Sequence, residues 1–151
     1  MKTKRTKLSD EELIRYIGHN ARLSAEKIGK KLQVSPTTIR RRLKAATRKG
    51  LMRTIVLVDP DKAGLKVQAI VGFNVSRDNL DSALNALEKQ SAIKWLATVT
   101  GQYDILARAA FPSIEDLSAF LRDTIANIQG INNSESFICL DIPKGRLISM
   151  G

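Results

Sequence analysis

One stretch, Ser35 to Lys49 (SPTTIRRRLKAATRK), constrains the chain more than any other, because a helix start, a buried stripe and a dense cationic face coincide in it. Ser35 suits an N-cap and Pro36 the first helical position, where a missing N–H costs nothing. Ile39, Leu43 and Ala46 recur at i, i+4 and i+7 and share one side of a helix. At about 100° per residue, Thr37, Arg41, Lys44 and Arg48 then fall opposite that stripe, with Thr38, Arg40 and Arg42 on its flanks. A short helix that is apolar on one side and guanidinium-rich on the other suits the groove of a polyanion. The alternative is a solvated charged face, which does not explain three consecutive arginines beginning five residues past an N-cap.

The charge is divided unevenly. Residues 1–53 hold 16 Lys/Arg against 4 Asp/Glu, a net of +12, whereas residues 54–151 hold 9 against 11, a net of −2. Two such segments predict two domains with different partners, and the basic one carries the footprint expected for phosphate. Charge gives the class of partner and leaves duplex DNA, RNA and a membrane surface open at this point. No run of 18 apolar residues exists for a membrane span, and the Lys-rich start leads into LSDEEL rather than an apolar segment, so a cytoplasmic, nucleoid-associated protein is expected. A single cysteine, Cys139, excludes an internal disulfide and a cysteine-based zinc site.

Residues 1–8 read as a polar, basic arm. Ser9 followed by Glu12 at the third position is a capping-box start, and Leu13, Ile14 and Ile17 form the apolar side of a first helix that ends at Gly18-His19-Asn20. Ser24 starts a second helix that buries Ile28 and Leu32, and Gln33-Val34 joins it tightly to the Ser35 helix. Three short helices joined this way make a three-helix helix-turn-helix unit of the winged type over residues 1–50, with Leu13, Ile17, Ile28, Leu32, Val34, Ile39 and Leu43 as its core. His19 is the only histidine and takes a structural or solvent role, since no second ligand or nucleophile accompanies it.

Gly50 closes the third helix, and residues 51–63 read as a β linker with a strand at Thr54–Val58 and a turn at Asp59-Pro60-Asp61-Lys62. Residues 64–151 then alternate: strand Val67–Val75, helix Asn79–Gln90, strands Ile93–Thr100 and Asp104–Phe111, helix Ile114–Gln129 and strand Ser134–Asp141. This βαββαβ order predicts an α+β, ferredoxin-like domain, a four-stranded antiparallel sheet with two helices on one face. The helices bury Leu80, Ala83, Leu84 and Leu87, and Leu117, Phe120, Leu121, Thr124 and Ile128. Val71, Phe73, Val75, Leu96, Ile105 and Phe137 cannot all be covered by helices on one side, so part of the sheet is expected to meet a second subunit. A dimer also places two recognition helices on one duplex.

No catalytic set is present: one histidine, no GxSxG, no P-loop and no paired carboxylates in a Gly-rich setting. No metal site and no cofactor are expected. Trp95 and Cys139 read as core, interface or packing residues.

The order of a helix-turn-helix, the passage GLMRTIVLVDPDKAG and an α/β domain containing VTGQYDIL strongly resembles the Lrp/AsnC, or feast/famine, regulators. Leu8-Ser9-Asp10, Asn20-Ala21-Arg22, LQVSPTTIRRRL, GQYD and GINNSESFICL carry the likeness over about residues 8–142. It implies a transcriptional regulator, not an enzyme. Its partners are double-stranded DNA and itself, as a dimer or an octamer of four dimers, and its second domain is of the RAM or ACT-like type. It also implies an amino-acid effector bound between dimers at Thr100-Gly101-Gln102-Tyr103-Asp104, with Ser134 and Ser136 standing where the family usually has threonines. Ser35, Thr37, Thr38, Arg40, Arg41, Arg42, Lys44 and Arg48 are the expected DNA contacts, Arg41 and Thr37 toward base edges and Arg40, Arg42, Lys44 and Arg48 toward phosphates.

At the turn, Asp104 offers an acceptor for an ammonium group and the amides around Gly101–Tyr103 offer donors for a carboxylate. The same residues also suit a plain hairpin turn in which Asp104 caps backbone. The family resemblance favours the ligand. An architectural DNA-coating protein without a ligand is the alternative function. Two departures stand out: Gln33 where the family has a turn glycine, and Ala46 where it has leucine.

Overall fold

The computed structural model describes residues 9–18 and 20–149, so the arm at residues 1–8 and His19 lie outside the described residues. Contacts divide the chain into two units, one up to Ile55 and one from Val56.

In the first unit, among the described residues, the helices are α1 (Asp10–Gly18), α2 (Ala25–Leu32) and α3 (Pro36–Arg48). Each start is capped by the expected serine. The Oγ of Ser9 accepts the Glu12 N–H at 3.0 Å, that of Ser24 the Lys27 N–H at 3.3 Å, and that of Ser35 the Thr38 N–H at 3.2 Å. Such caps satisfy amides that have no partner inside the helix. Leu13, Ile17, Ile28 and Ile39 form the buried core, with Tyr16, Leu23, Leu32, Val34 and Leu43 packed round it. The turn between α2 and α3 folds so closely over Gly29 that a Cβ there would lie 2.4 Å from the Val34 carbonyl oxygen. Gln33 takes the left-handed conformation, φ 53° and ψ 39°, that the turn demands.

The second unit holds β1 (Leu57–Val58), β2 (Val67–Val75), α4 (Leu80–Glu88), β3 (Ile93–Thr98), β4 (Ile105–Phe111), α5 (Ile114–Ala119), β5 (Ile131–Ile138) and β6 (Ile148–Ser149). The main sheet runs β3-β4-β2-β5 with every neighbour antiparallel, the order a split βαβ unit requires. Its helix side is sealed by Ala69, Val71, Phe73, Ile105, Ala107, Ala109, Ala83 and Leu87, with Leu117, Phe120 and Ile125 from the second helical segment.

Four expectations need correction. The helix expected over Ile114–Gln129 is α5 followed by a π turn (Phe120–Thr124) and a 3-10 turn (Ile125–Asn127), which bring Ile125 into the core. The last long strand is Ile131–Ile138 rather than Ser134–Asp141. Of the strand expected at Thr54–Val58, only Leu57–Val58 forms, because its partner β6 is two residues long; Leu57 pairs with Ser149 and Val58 with Ile148. Finally, Val71, Phe73, Val75 and Ile105 are buried on the helix side, and Leu96 packs partly against that core. The open face carries Ile70, Trp95, Leu106 and Phe137 instead. Parity explains the swap: Val71 pairs with Ala107 in the core, whereas Ile70 pairs with Arg108 on one side and Phe137 on the other. In β3 a register shift between Ile93 and Trp95 leaves Ile93 opposite Ala109 and turns Trp95 to the open side.

The C-terminal segment is strapped to this unit. Arg108 donates to Oε1 of Gln68 at 2.6 Å, to the Arg146 carbonyl at 2.6 Å and to the Gly145 carbonyl, and Arg146 pairs with Asp59 and Asp61.

Left-handed backbone costs a side chain that has no special local hydrogen bond about 1 kcal/mol, which glycine avoids. Gln33→Gly is therefore expected to stabilise the first unit by about 0.5–1 kcal/mol, read as a higher urea midpoint at unchanged slope. An equal or lower midpoint would show that the turn carries no such strain.

Candidate functional site

The basic site is set by how α3 sits. Ile39 is fully enclosed and Ala46 nearly so, so the opposite face is exposed: Thr37, Arg41, Lys44, Thr47 and Arg48. Arg41, Lys44 and Arg48, with Ala45 and Thr47, line one open depression along the helix. Ser35 is occupied as the cap, and Thr38 is half-buried with its hydroxyl 2.8 Å from that of Ser35. Both hydroxyls are thus engaged at the helix start, where Ser35 remains exposed.

The flanking arginines are engaged within the unit. Arg42 donates to Asp10 at 3.3 Å, a pair in which Arg42 keeps only 23% of its side-chain surface exposed, and Lys49 lies 4.0 Å from the same carboxylate. Arg40 pairs with Glu26 of α2, both more than half exposed. The Glu26 carboxyl is held below its ordinary pKa by its own backbone N–H, by the Ser24 hydroxyl and by Arg40. Sequence reasoning placed Arg40 and Arg42 beside the basic face but did not find their acidic partners, which lie 14 and 32 residues away.

The second candidate site is the turn from Val99 to Asp104. Thr100, Gly101, Gln102 and Asp104 are exposed. Gly101 has φ +128°, a conformation side chains rarely adopt. Asp104 is anchored twice: its Oδ2 accepts the Val75 N–H at 2.8 Å and its own N–H donates to the Phe73 carbonyl at 3.0 Å. Its carboxylate therefore caps backbone, as a plain turn would have it, through one oxygen. Asn74 Nδ2 donates to the Gln102 carbonyl at 2.6 Å. Tyr103 lies against Gly72, where a Cβ would sit 2.6 Å from its ring, donates its hydroxyl to Glu135 and meets Phe137 edge-on with ring centroids 6.3 Å apart.

Ser134 and Ser136 pair in register with Phe73 and Val71, so they lie on the helix side of β5. Glu135 and Phe137, and with them the Tyr103 ring, lie on the other. The structure thus gathers Thr100–Asp104 in one turn but does not bring the Tyr103 side chain to the serine hydroxyls. Among the described residues, no group of His, Cys, Asp and Glu is arranged to hold a metal. No helix there is long and apolar enough to cross a membrane.

Hydrogen bonding to Glu135, then burial and the charge of that carboxylate, raise the Tyr103 pKa. Glu135→Gln removes the charge, so ultraviolet titration is expected to show one tyrosine falling back toward its ordinary value; an unchanged curve would show that the two groups are not in contact.

Both domains match known families. Residues 9–46 match the AsnC-type helix-turn-helix domain and residues 68–147 the Lrp/AsnC ligand binding domain. The HTH-type transcriptional regulator Ptr1 of Methanocaldococcus jannaschii is 31% identical over 132 residues, 87% of this chain and 89% of that protein. Among solved structures, AsnC of E. coli superposes with a TM-score of 0.81 at 28% identity, covering 89% of this chain and 91% of its own. The transcriptional regulator NMB0573 of Neisseria meningitidis, solved as a complex with L-Met, is alike in fold, with a TM-score of 0.81 at 23% identity over 95% of this chain and 93% of its own. Both halves of the chain match in the same order, and the relatives are matched over most of their length, so this protein belongs to the Lrp/AsnC family of DNA-binding transcriptional regulators.

Proposed function

We propose that the protein is a sequence-specific regulator that docks α3 in the major groove, assembles through the open face of its four-stranded sheet, and responds to an amino acid held at the Val99–Asp104 turn. The observation that carries the DNA reading is the exposed row Arg41, Lys44 and Arg48, opposite a wholly buried Ile39. Arg41 and Thr37 face base edges, where a guanidinium pairs with guanine O6 and N7, a contact worth about 1–3 kcal/mol of discrimination. Lys44 and Arg48 hold phosphates.

Assembly is supported by what the sheet leaves uncovered: Trp95 and Phe137 are 52% and 46% exposed, beside Ile70 and Leu106. A second copy of the same face is an economical cover for such a patch. The amino-acid reading is supported by the match to a ligand-binding domain and by the L-Met complex of the Neisseria relative. In this chain the turn offers the second oxygen of Asp104 for an ammonium group and the amides after Gly101 for a carboxylate. Ser134 and Ser136, whose hydroxyls have no partner among the described residues, join the site from the other side of the sheet edge in the assembled protein.

Arg41→Ala is expected to weaken binding to a footprinted site and to lower the salt slope by about one unit for each docked helix. Unchanged affinity and slope would rule out this docking. Uniform, length-dependent protection in place of discrete sites would instead point to an architectural DNA-coating protein.

Asp104→Asn keeps an oxygen for the Val75 amide while removing the charge. It is expected to abolish any change in assembled mass that an amino acid causes, measured by light scattering, while ligand-free DNA binding stays intact. Calorimetry showing that none of the twenty amino acids binds the parent protein would retire the effector site.

A further inference from the structure

Glu26 is the sole carboxylate residue between Leu13 and Val58, a span that holds twelve lysines and arginines. The fold places it against Arg40, across the α2–α3 junction. The two ion pairs of α3 differ in kind. Arg42, 23% exposed, ties α3 to the first turn of α1 through Asp10 and belongs to the packing of the unit. Arg40 and Glu26 keep 61% and 56% of their side chains exposed. Glu26 suits the first turn of α2 in its own right, but an exposed pair of this sort contributes little to stability and opens readily, so stability gives little reason for its pairing with Arg40.

Its position relative to the DNA-facing row gives a better one. Arg40 lies one residue, about 100° round the helix, from Arg41, on the border of the exposed cationic face. A carboxylate and a phosphate diester offer a guanidinium the same planar pair of acceptor oxygens.

We propose that Glu26 is an internal competitor for DNA phosphate: it occupies the Arg40 guanidinium in the free protein and must be displaced before Arg40 can grip the backbone. The inference rests on the reading of α3 as the DNA-contacting helix and adds to it. Docking exchanges one anion for another at Arg40 and leaves the Glu26 carboxylate facing the phosphates. That cost falls equally on every sequence. Glu26 therefore sets the level of binding to bulk DNA and its salt dependence, while the choice of site remains with Arg41 and Thr37.

The test is a double-mutant cycle on the full-length protein, with a mixed-sequence duplex titrated at several salt concentrations. Glu26→Gln is expected to bind about two- to fivefold more tightly per docked unit at low salt, the range an exposed pair spans, with a salt slope steeper by about one. Glu26→Ser, suited to the first turn of a helix, gives the same result with a different side chain. Arg40→Gln is expected to weaken binding, and in Glu26→Gln/Arg40→Gln the gain from losing Glu26 disappears.

An unchanged affinity and slope in both Glu26 variants overturns the proposal. So does a gain that persists without Arg40, which would mean simple repulsion between Glu26 and DNA. Failure of the parent protein to bind duplex at any salt would instead sink the α3 reading, and the competitor with it.

Discussion

Burial of Ile39 is the contact on which the basic surface depends. With that side chain enclosed among Leu13, Ile17 and Ile28, the rotation of α3 about its axis is settled, and with it which of the helix's side chains meet solvent. A core of this size cannot fix a helix by area alone. Polar contacts at the ends supply the remainder. Ser35 caps α3, and the half-buried Asp10–Arg42 pair holds its flank to α1. A cap contributes about 1 kcal/mol, a large share for so small a unit. The left-handed Gln33 works against this, because the turn that aims α3 is made by a residue that resists the conformation.

The sheet unit solves the opposite problem. Its helix side is closed by large apolar groups, while its other side stays open and is organised by Tyr103. Gly72 matters because it has no Cβ: the tyrosine ring lies flat where any side chain would stand. The same turn is held by Asp104 on the Val75 amide and by Asn74 on the Gln102 carbonyl. Three anchors in different directions leave the backbone at Gly101 and Gln102 exposed and fixed. In the effector reading proposed above, amides arranged before a ligand arrives would bind it without a further ordering cost.

Much of this was legible in the chain. The serine caps, the α3 stripe and the limits of β2 follow from local chemistry, and local chemistry survives folding unchanged. What could not be read depends on partners far away in sequence. In β2 the odd positions from Val67 to Val75 are all apolar while the even ones are Gln68, Ile70, Gly72 and Asn74, so alternation does mark Val71 as buried; what local pattern could not say is that Ile70, the apolar exception, joins Phe137 on the open face. The register shift beside Trp95 and the π turn at Phe120–Thr124 break periodicities that sequence reading assumes to be continuous. The helix-side placement of Ser134 and Ser136, away from the Tyr103 ring, required knowing that β5 pairs with β2 and in which register. The acidic partners of Arg40 and Arg42 were hidden for the same reason, since they depend on helix crossing rather than spacing.

Those partners change what the arginine run means. Read as a string, Arg40-Arg41-Arg42 is a band of charge; folded, its outer two members already face carboxylates, and only the middle one joins Lys44 and Arg48 on the open face. Salt-dependent attraction to DNA scales with the cations available to neutralise phosphate, so, if α3 docks as proposed, a unit that pairs two of its five α3 cations internally is expected to bind bulk duplex less tightly than its sequence suggests. Weak units become effective when several are tethered, because the second contact is then made at a high local concentration. In the reading proposed here, occupancy of DNA is thus controlled by how many protomers the sheet domain holds together. A small effector at a turn of that domain needs only to shift assembly, and has no need to alter the conformation of the recognition helix.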